Sequence, residues 1–391
     1  MATENIKEKT AIVGIGAVDF STNIGKTEWY TACECIKLAA DDAGLNIYDI
    51  DGLVKNVDDG PDPSYVTKGL GIDNLTYHSE SHWGNSGMMN AIQAVASGAV
   101  NYCVYYQPAH RASGAEKSLS DYRVAKELQD DSLDIIRHDF FDSYGLIGQP
   151  GFVGMTYRRY MHEFGARPEQ FGWIPIVDSE NASRNPNAIF FDKPITIDDY
   201  MNSKVVVDPM REYDFAPKVD GAIAIIVTTP ERARALRQKP AIISSAAFGM
   251  APEGQFHTSY TREVFTELPE MKNMAQELFR VAGMSPKDIK AAMLDDLFVP
   301  YVPMQLEALG FCGRGEGAAF CEGGDRIRVG GELPLNTDGG SIGQGKLDTT
   351  RIVEAVRQIR GTSPSQIDNA DVVLIASGAG GPADGIILRK D

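Results

Sequence analysis

Positive charge is scarce in this sequence: 37 Lys and Arg stand against 54 Asp and Glu, a formal net charge of −17. That balance argues against a nucleic-acid surface and against docking on anionic lipid, since both need a basic face. An anionic ligand must be met by a local cluster of Lys, Arg or backbone N–H groups. Cysteine is scarce too. Cys33, Cys35, Cys103, Cys312 and Cys321 are odd in number and scattered, without the paired C-x-x-C spacing of a zinc site or the framework of a secreted domain. No metal is expected in this chain, and a reducing cytoplasm fits best. Long apolar runs are missing: nothing approaches the roughly 20 residues of a membrane span, and the opening MATENIKEKT lacks the apolar core of a signal peptide. The expectation is a soluble, cytoplasmic protein with no nucleic-acid or membrane partner.

What is present is a core-forming composition, 43% apolar over 391 residues, enough for two ordinary units. Thr10 to Val18 is a β-branched run ending in glycines. Thr27 then caps a segment with apolar residues at Trp29, Cys33, Ile36, Ala39, Ala40 and Ala43, which predicts strand, loop and helix. Gly14 and Gly16 resemble a dinucleotide loop, but the third glycine and the following acidic residue are missing. Ala43-Gly44 followed by Asp49-Ile50 reappears as Ala282-Gly283 followed by Asp288-Ile289, at a constant offset of 239. The predicted helix from Ser86 and its following strand match the helix TTRIVEAVRQIRG and the strand DVVLIAS.

An internal duplication is the simplest account, with an N-terminal half at 1–235 and a C-terminal half at 236–391. Two βαβ-rich halves predict an α/β layered architecture. The loops before Ser86 and around Lys346 are then pseudo-equivalent, each feeding a helix N-terminus. Two such termini facing one cleft could stabilise a developing oxyanion. The stretch at about 108–200 belongs to neither repeat and reads as an insertion over the cleft, a lid or specificity loop.

The runs SRNPNA (183–188), VVDPMREYDFAPKVDGAIAIIV (206–227), QLEALGFCGRGEG (305–317) and LNTDGGSIGQG (335–345) resemble the thiolase superfamily, in its branch of sterol-carrier-type and lipid-transfer-like proteins. YRRYMHEFGARPEQFG and HTSYTREVFTELPEM look closest to the thiolase-fold subunit of the steroid side-chain-cleaving aldolase, a build shared with benzoylsuccinyl-CoA thiolase. The resemblance implies duplicated halves in a five-layered αβαβα fold with an inserted covering-loop region. It also implies coenzyme A as substrate or acyl carrier, a homodimer, and a small zinc-ribbon/OB-fold partner subunit. The family's nucleophilic cysteine falls on Gly84, so no acyl-cysteine can form there. Its histidine acid/base falls on Lys346, where the aldolase branch holds a tyrosine, and a second tyrosine of that branch falls on Asp295. The second thiolase cysteine is absent from the block containing Gly380.

Lys346 is either a solvated loop lysine or the group that contacts a thioester oxygen, pairs with a substrate carboxylate or moves a proton. Asp295 is a strand-end residue or a catalytic acid/base. Tyr301 and His82 are further catalytic candidates, with a packed aromatic and a structural histidine as the plainer readings. Trp83, Gly84, Asn85, Ser86, Gly345 and Gly380 are expected to wall the acyl pocket and present backbone N–H groups. Lys218, Arg211 and Gly249 are the candidates for coenzyme A contact. The reading preferred from sequence is retro-Claisen thiolysis of a 3-oxoacyl-CoA, such as the aromatic benzoylsuccinyl-CoA, by direct attack of CoA. The alternatives are retro-aldol cleavage of a 3-hydroxyacyl-CoA and a non-catalytic acyl-CoA or lipid carrier.

Overall fold

Side chains that alternate between two faces of each strand, and apolar stripes along the helices, assemble two matching sets of elements. The computed structural model describes residues 6–56, 60–81, 85–113, 142–146, 149–252, 262–347, 349–378 and 382–391. The strands are β1 (Ala11–Ser21), β2 (Gly52–Asn56), β3 (Tyr77–Ser81), β4 (Cys103–His110), β5 (Val205–Val207), β6 (Met210–Arg211), β7 (Asp220–Thr228), β8 (Ala241–Gly249), β9 (Ala291–Met293), β10 (Val372–Ser377) and β11 (Ala383–Lys390). The principal helices are α1 (Glu28–Ala43), α2 (Pro63–Leu70), α3 (Ser86–Ala96), α4 (Gln149–Phe164), α5 (Pro168–Ala182), α6 (Ile197–Asn202), α7 (Pro269–Ala282), α8 (Tyr301–Ala308), α9 (Gly340–Gln344) and α10 (Thr350–Arg360).

The main sheet runs β3-β2-β4-β7-β1-β8-β11-β10-β9. β2 is parallel to β4, and β4, β7 and β1 continue antiparallel. β9 is likewise parallel to β10, and β10, β11 and β8 continue antiparallel. One order of connections therefore occurs twice, joined where Ala11 and Ile12 of β1 face Ile242 and Ala241 of β8. The 239-residue offset is visible in the elements themselves. α1 ends at Ala43 with a left-handed Gly44, a 3-10 turn follows at Ile47–Asp49, and β2 starts at Gly52. α7 ends at Ala282 with a left-handed Gly283, a 3-10 turn follows at Pro286–Asp288, and β9 starts at Ala291.

Strand alternation sorts the core into layers. Cys103 and Tyr105 of β4 and Val373 and Ile375 of β10 face one shared core with Met88 and Ile92 of α3 and Ile352 and Val356 of α10. Val104 and Tyr106 point the other way onto α1, and Leu374 and Ala376 point onto α7. The order is helix, sheet, helix pair, sheet, helix, the five-layered α/β arrangement. Thr27 caps α1 as expected, its hydroxyl accepting the Tyr30 N–H. The predicted apolar stripe is displaced at its start: Trp29 is exposed and its indole N–H donates to Tyr65 O at 2.8 Å, while Thr31, Ala32 and Cys35 turn inward.

The insertion is more than a cover. Within it α5 is largely buried, and Phe171, Ile174 and Val177 enter the outer core with α7 and α8. Residues 114–141 of the insertion lie outside the described residues. Among the described residues, no helix is long and apolar enough to cross a membrane.

Candidate active site

Each of the two central helices is held at its start by a strand of the opposite half. Asn85, the residue before α3, gives its backbone N–H (3.0 Å) and its side-chain amide (2.9 Å) to the Asp384 carboxylate of β11. Thr349, the residue before α10, gives its hydroxyl (3.0 Å) and its N–H (3.4 Å) to Gln107 Oε1 of β4. All four residues are buried. Donors at a helix start favour an acceptor there, and both sites already have one supplied by the protein. The Asn85 N–H is thus engaged by a carboxylate and is not open to a substrate oxyanion, contrary to the expectation for this loop. Ser86 is buried behind it, its hydroxyl hydrogen-bonded to that of Ser81.

Asp295 lies just past β9. Gln305 of α8 grips its backbone: Oε1 accepts the Asp295 N–H at 3.1 Å and Nε2 donates to Asp295 O at 2.5 Å. The Asp295 carboxylate accepts from Leu297 N–H (3.2 Å) and Gly378 N–H (3.4 Å) and pairs with Arg351 of α10 at 3.5 Å. The Arg351 side chain is 1% exposed and that of Asp295 13%, so the carboxylate is the accessible end of the pair. Arg351 also donates to Ser377 Oγ at 3.2 Å. Burial pushes the Asp384 carboxyl up to about 7, against the pull of its Asn85 bonds and of Arg351.

Lys346 is brought to the same place by the segment 214–219. Asp214 O accepts the Val299 N–H at 3.2 Å, Ala216 N–H donates to Leu297 O at 3.1 Å, and Pro217 O accepts the Lys346 N–H at 2.8 Å. Ala216 and Pro217 are adjacent, and neighbouring Cα atoms are about 3.8 Å apart. One strap therefore binds the Asp295 loop and the Lys346 loop side by side. Gly345 has φ +123, and a Cβ there would lie 2.3 Å from Val219 Cγ1, so only glycine lets the loop sit this close to the strap. Lys346 is half-buried and Lys218 is exposed on the strap next to Pro217.

Behind Lys346 the glycine-rich loop rests on buried polar groups. Asn181 of α5 donates to Leu335 O (3.3 Å) and Asn336 O (3.2 Å), and Asn185 donates to Asp338 O (3.1 Å) and Gln344 Oε1 (3.1 Å). Asp296 is fully buried beneath α9, and burial pushes its carboxyl up to about 6. Burial also raises Asp178 and raises the adjacent Asp338 and Glu354, which repel each other, while Asp214 is pushed up to about 7. Each of these carboxyls holds its proton more tightly folded than unfolded, where an aspartate titrates near 3.8. For Asp296, Asp338 and Asp214 the stability this contributes is complete below about pH 4 and is lost as pH rises through about 6 to 7. The urea midpoint is therefore expected to fall between about pH 5 and pH 8, by at most about 1.4 kcal/mol per pH unit for each titrating group. A midpoint that rises over that interval contradicts this electrostatic picture.

Several expected site residues take other places. Arg211 is tethered as a structural group: its N–H donates to Asp214 Oδ2 (2.7 Å), its guanidinium to Ser203 O (3.0 Å), and it lies 6.0 Å from the Tyr200 ring centroid. Gly249 ends β8 against α7, where a Cβ would lie 1.9 Å from Glu270 O; close packing explains this glycine, not coenzyme A. Tyr301 opens α8 at 5% exposure within the outer apolar core, the place of a packed aromatic. His82, Trp83, Gly84 and Gly380 lie outside the described residues. The five cysteines are all free. Cys35, Cys103 and Cys321 are buried, burial raises each of the five thiols, and none stands at the start of α3 or α10. Arg351, Asp384, Gln107 and Gln305 were not among the expected site residues. Among the described residues, no group of three His, Cys, Asp or Glu side chains could hold a metal ion.

Comparison with known proteins places this geometry. The family described as thiolase C-terminal domain-like matches residues 254–386. The 17-hydroxy-3-oxo-4-pregnene-20-carboxyl-CoA lyase of Mycobacterium tuberculosis is 39% identical over 385 residues, 97% of this chain and 99% of that protein. The steroid side-chain-cleaving aldolase of Thermomonospora curvata is 39% identical over 386 residues, 97% of this chain and 98% of that protein. A solved structure described as Ltp2-ChsH2(DUF35) aldolase superposes with a TM-score of 0.91 at 38% identity, covering 99% of each chain. With two matching halves, a site at the paired helix starts, and relatives of this identity along almost its whole length, the chain belongs to the thiolase superfamily, among relatives of the steroid side-chain-cleaving aldolases.

Proposed function

We propose that this enzyme breaks a carbon–carbon bond of a 3-hydroxyacyl-CoA by a retro-aldol reaction. The observation that carries the reading is one strap that binds both the loop of Asp295, a partly exposed carboxylate, and the loop of Lys346, in a site without a cysteine nucleophile. A retro-aldol step needs a base and a place for enolate charge, and no covalent acyl-enzyme. Asp295 takes the proton of the 3-hydroxyl. The electrons of that O–H bond form the new carbonyl at C3, and those of the C2–C3 bond pass into the thioester enolate. Lys346 stabilises the enolate oxygen. Protonation at C2 then gives a shortened acyl-CoA, and the other product is a ketone or aldehyde.

The two relatives at 39% identity favour this reading over the thiolysis preferred from sequence, because one is named a lyase of a hydroxylated acyl-CoA and the other an aldolase. Coenzyme A enters as the acyl carrier, and Lys218, exposed beside the Lys346 loop, is the side chain placed to meet its phosphates. The solved structure described as Ltp2-ChsH2(DUF35) aldolase has two named components, which supports a small partner subunit, of zinc-ribbon/OB-fold type in this proposal, for this chain as well. A homodimer in the cytoplasm completes the proposal. Incubation with a 3-hydroxyacyl-CoA, in the presence of the partner, is expected to yield the ketone or aldehyde and the shortened acyl-CoA in equal amounts. Turnover of the 3-oxoacyl-CoA alone would replace this reading with thiolysis, and binding without turnover of either would replace it with a carrier.

A further inference from the structure

We infer that Asp296 is a positioning residue for this site: its carboxylate ties the start of α9, and so the Lys346 loop, to the strand end that carries Asp295. The inference rests on the assignment of Lys346 and Asp295 to one reacting site. Asp296 follows Asp295 directly and is 0% exposed. Its Oδ1 accepts the Ser341 N–H at 2.9 Å and its Oδ2 accepts the Ile342 N–H at 2.9 Å. These amides begin a five-residue helix that leads straight into Gly345 and Lys346. The fit leaves no slack. Gly340 has φ +59, and a Cβ there would lie 2.2 Å from Asp296 Oδ2 and 2.9 Å from Asn336 Nδ2. Asn336 in turn accepts the Leu294 N–H at 2.8 Å, so the glycine loop and the Asp295 turn are fastened from both directions.

The charged groups around Asp296 come from three further elements: Asp178 from α5, Arg351 from α10, and Asp338 from the glycine loop, with Asp295 beside it in sequence. Arg351 is the cation common to Asp295 and Asp296, which makes the two acids one electrostatic unit with unequal access to solvent. Asp295 keeps partial exposure, and Asp296 faces the loop that leads to Lys346. Misplacing a catalytic group by about 1 Å costs on the order of 100-fold in rate, so a tether of this kind sets turnover without touching substrate.

The test is Asp296→Asn, which keeps the size of the side chain but turns one acceptor into a donor facing an N–H. Activity is measured on whichever of the 3-hydroxyacyl-CoA or 3-oxoacyl-CoA the wild-type enzyme cleaves, so failure of the retro-aldol reading leaves this test intact. The expected result is a kcat lowered by roughly 100-fold with KM within about threefold. Amide hydrogen exchange of residues 339–346 in the same variant is expected to accelerate at least tenfold relative to the core strands. A kcat per folded molecule within about threefold of wild type, with only a lower melting temperature, would make Asp296 a purely structural residue and overturn the inference. Unchanged exchange at 339–346 would overturn it independently of any assay.

Discussion

Lys346→Met is expected to lower turnover by roughly 100- to 10,000-fold while leaving the fold in place. The side chain is half-buried at the loop that precedes α10, while the bond that fixes the loop there is a backbone one, Lys346 N–H to Pro217 O at 2.8 Å. Methionine keeps the length and the apolar stem and removes only the amino group. The loss should fall on kcat, because an interaction with enolate charge strengthens as the carbon–carbon bond breaks. Circular dichroism and a urea curve matching wild type, together with the kinetic loss, are the expected pattern. An unchanged rate would remove Lys346 from the chemistry.

Arg351→Leu should damage both stability and rate. Arg351 is buried among three acids, paired with Asp295 at 3.5 Å and close enough to Asp296 and Asp384 to pull their proton affinity down. Removing one partner of a buried charge pair typically destabilises by about 3–5 kcal/mol, because the remaining charge keeps its desolvation penalty and loses its compensation. Here three acids, Asp295, Asp296 and Asp384, would lose that cation. A carboxylate without its cation holds its proton more tightly, so the acid limb of the pH–rate profile should move to higher pH as well. Arg351→Lys is the informative companion, since it keeps the charge and loses the fork geometry. A leucine variant with wild-type stability and an unmoved pH profile would show that Arg351 neither compensates nor tunes the site.

Much of the architecture is legible in the sequence because it is written in local patterns. The recurrence of an Ala-Gly helix end and an Asp-Ile pair 239 residues on predicts two helix ends, and both carry a left-handed glycine followed by a 3-10 turn. The site's supporting residues are not legible in this way. Asp384 meets Asn85 across 299 residues, and Gln107 meets Thr349 across 242. Each sits in an ordinary strand or loop whose periodicity says only that it is buried, and nothing local names its partner.

Glycine is where sequence reasoning misassigned the physical cause. The loop LNTDGGSIGQG reads as flexible backbone brought close to a thioester. In the fold, Gly340 and Gly345 are required by the Asp296 carboxylate and by Val219, so the loop is clamped by the protein itself. Gly249 is required by α7 packed across it, a contact that nothing local in the sequence announces. Arg211 is held locally, its backbone N–H by Asp214 and its guanidinium by Ser203 O, contacts that no sequence pattern announces. Asp295 and Asp296 are adjacent and look equivalent in sequence, yet the Asp295 side chain keeps 13% exposure while Asp296 is sealed beneath α9.

The most direct test of the retro-aldol account is the coenzyme A balance per carbon–carbon bond broken. With a 3-hydroxyacyl-CoA as substrate, cleavage should proceed without added thiol, each event releasing one carbonyl product and one shortened acyl-CoA and consuming no free coenzyme A. Cleavage that starts only when free coenzyme A is supplied, and that consumes one equivalent for every bond broken, would contradict it.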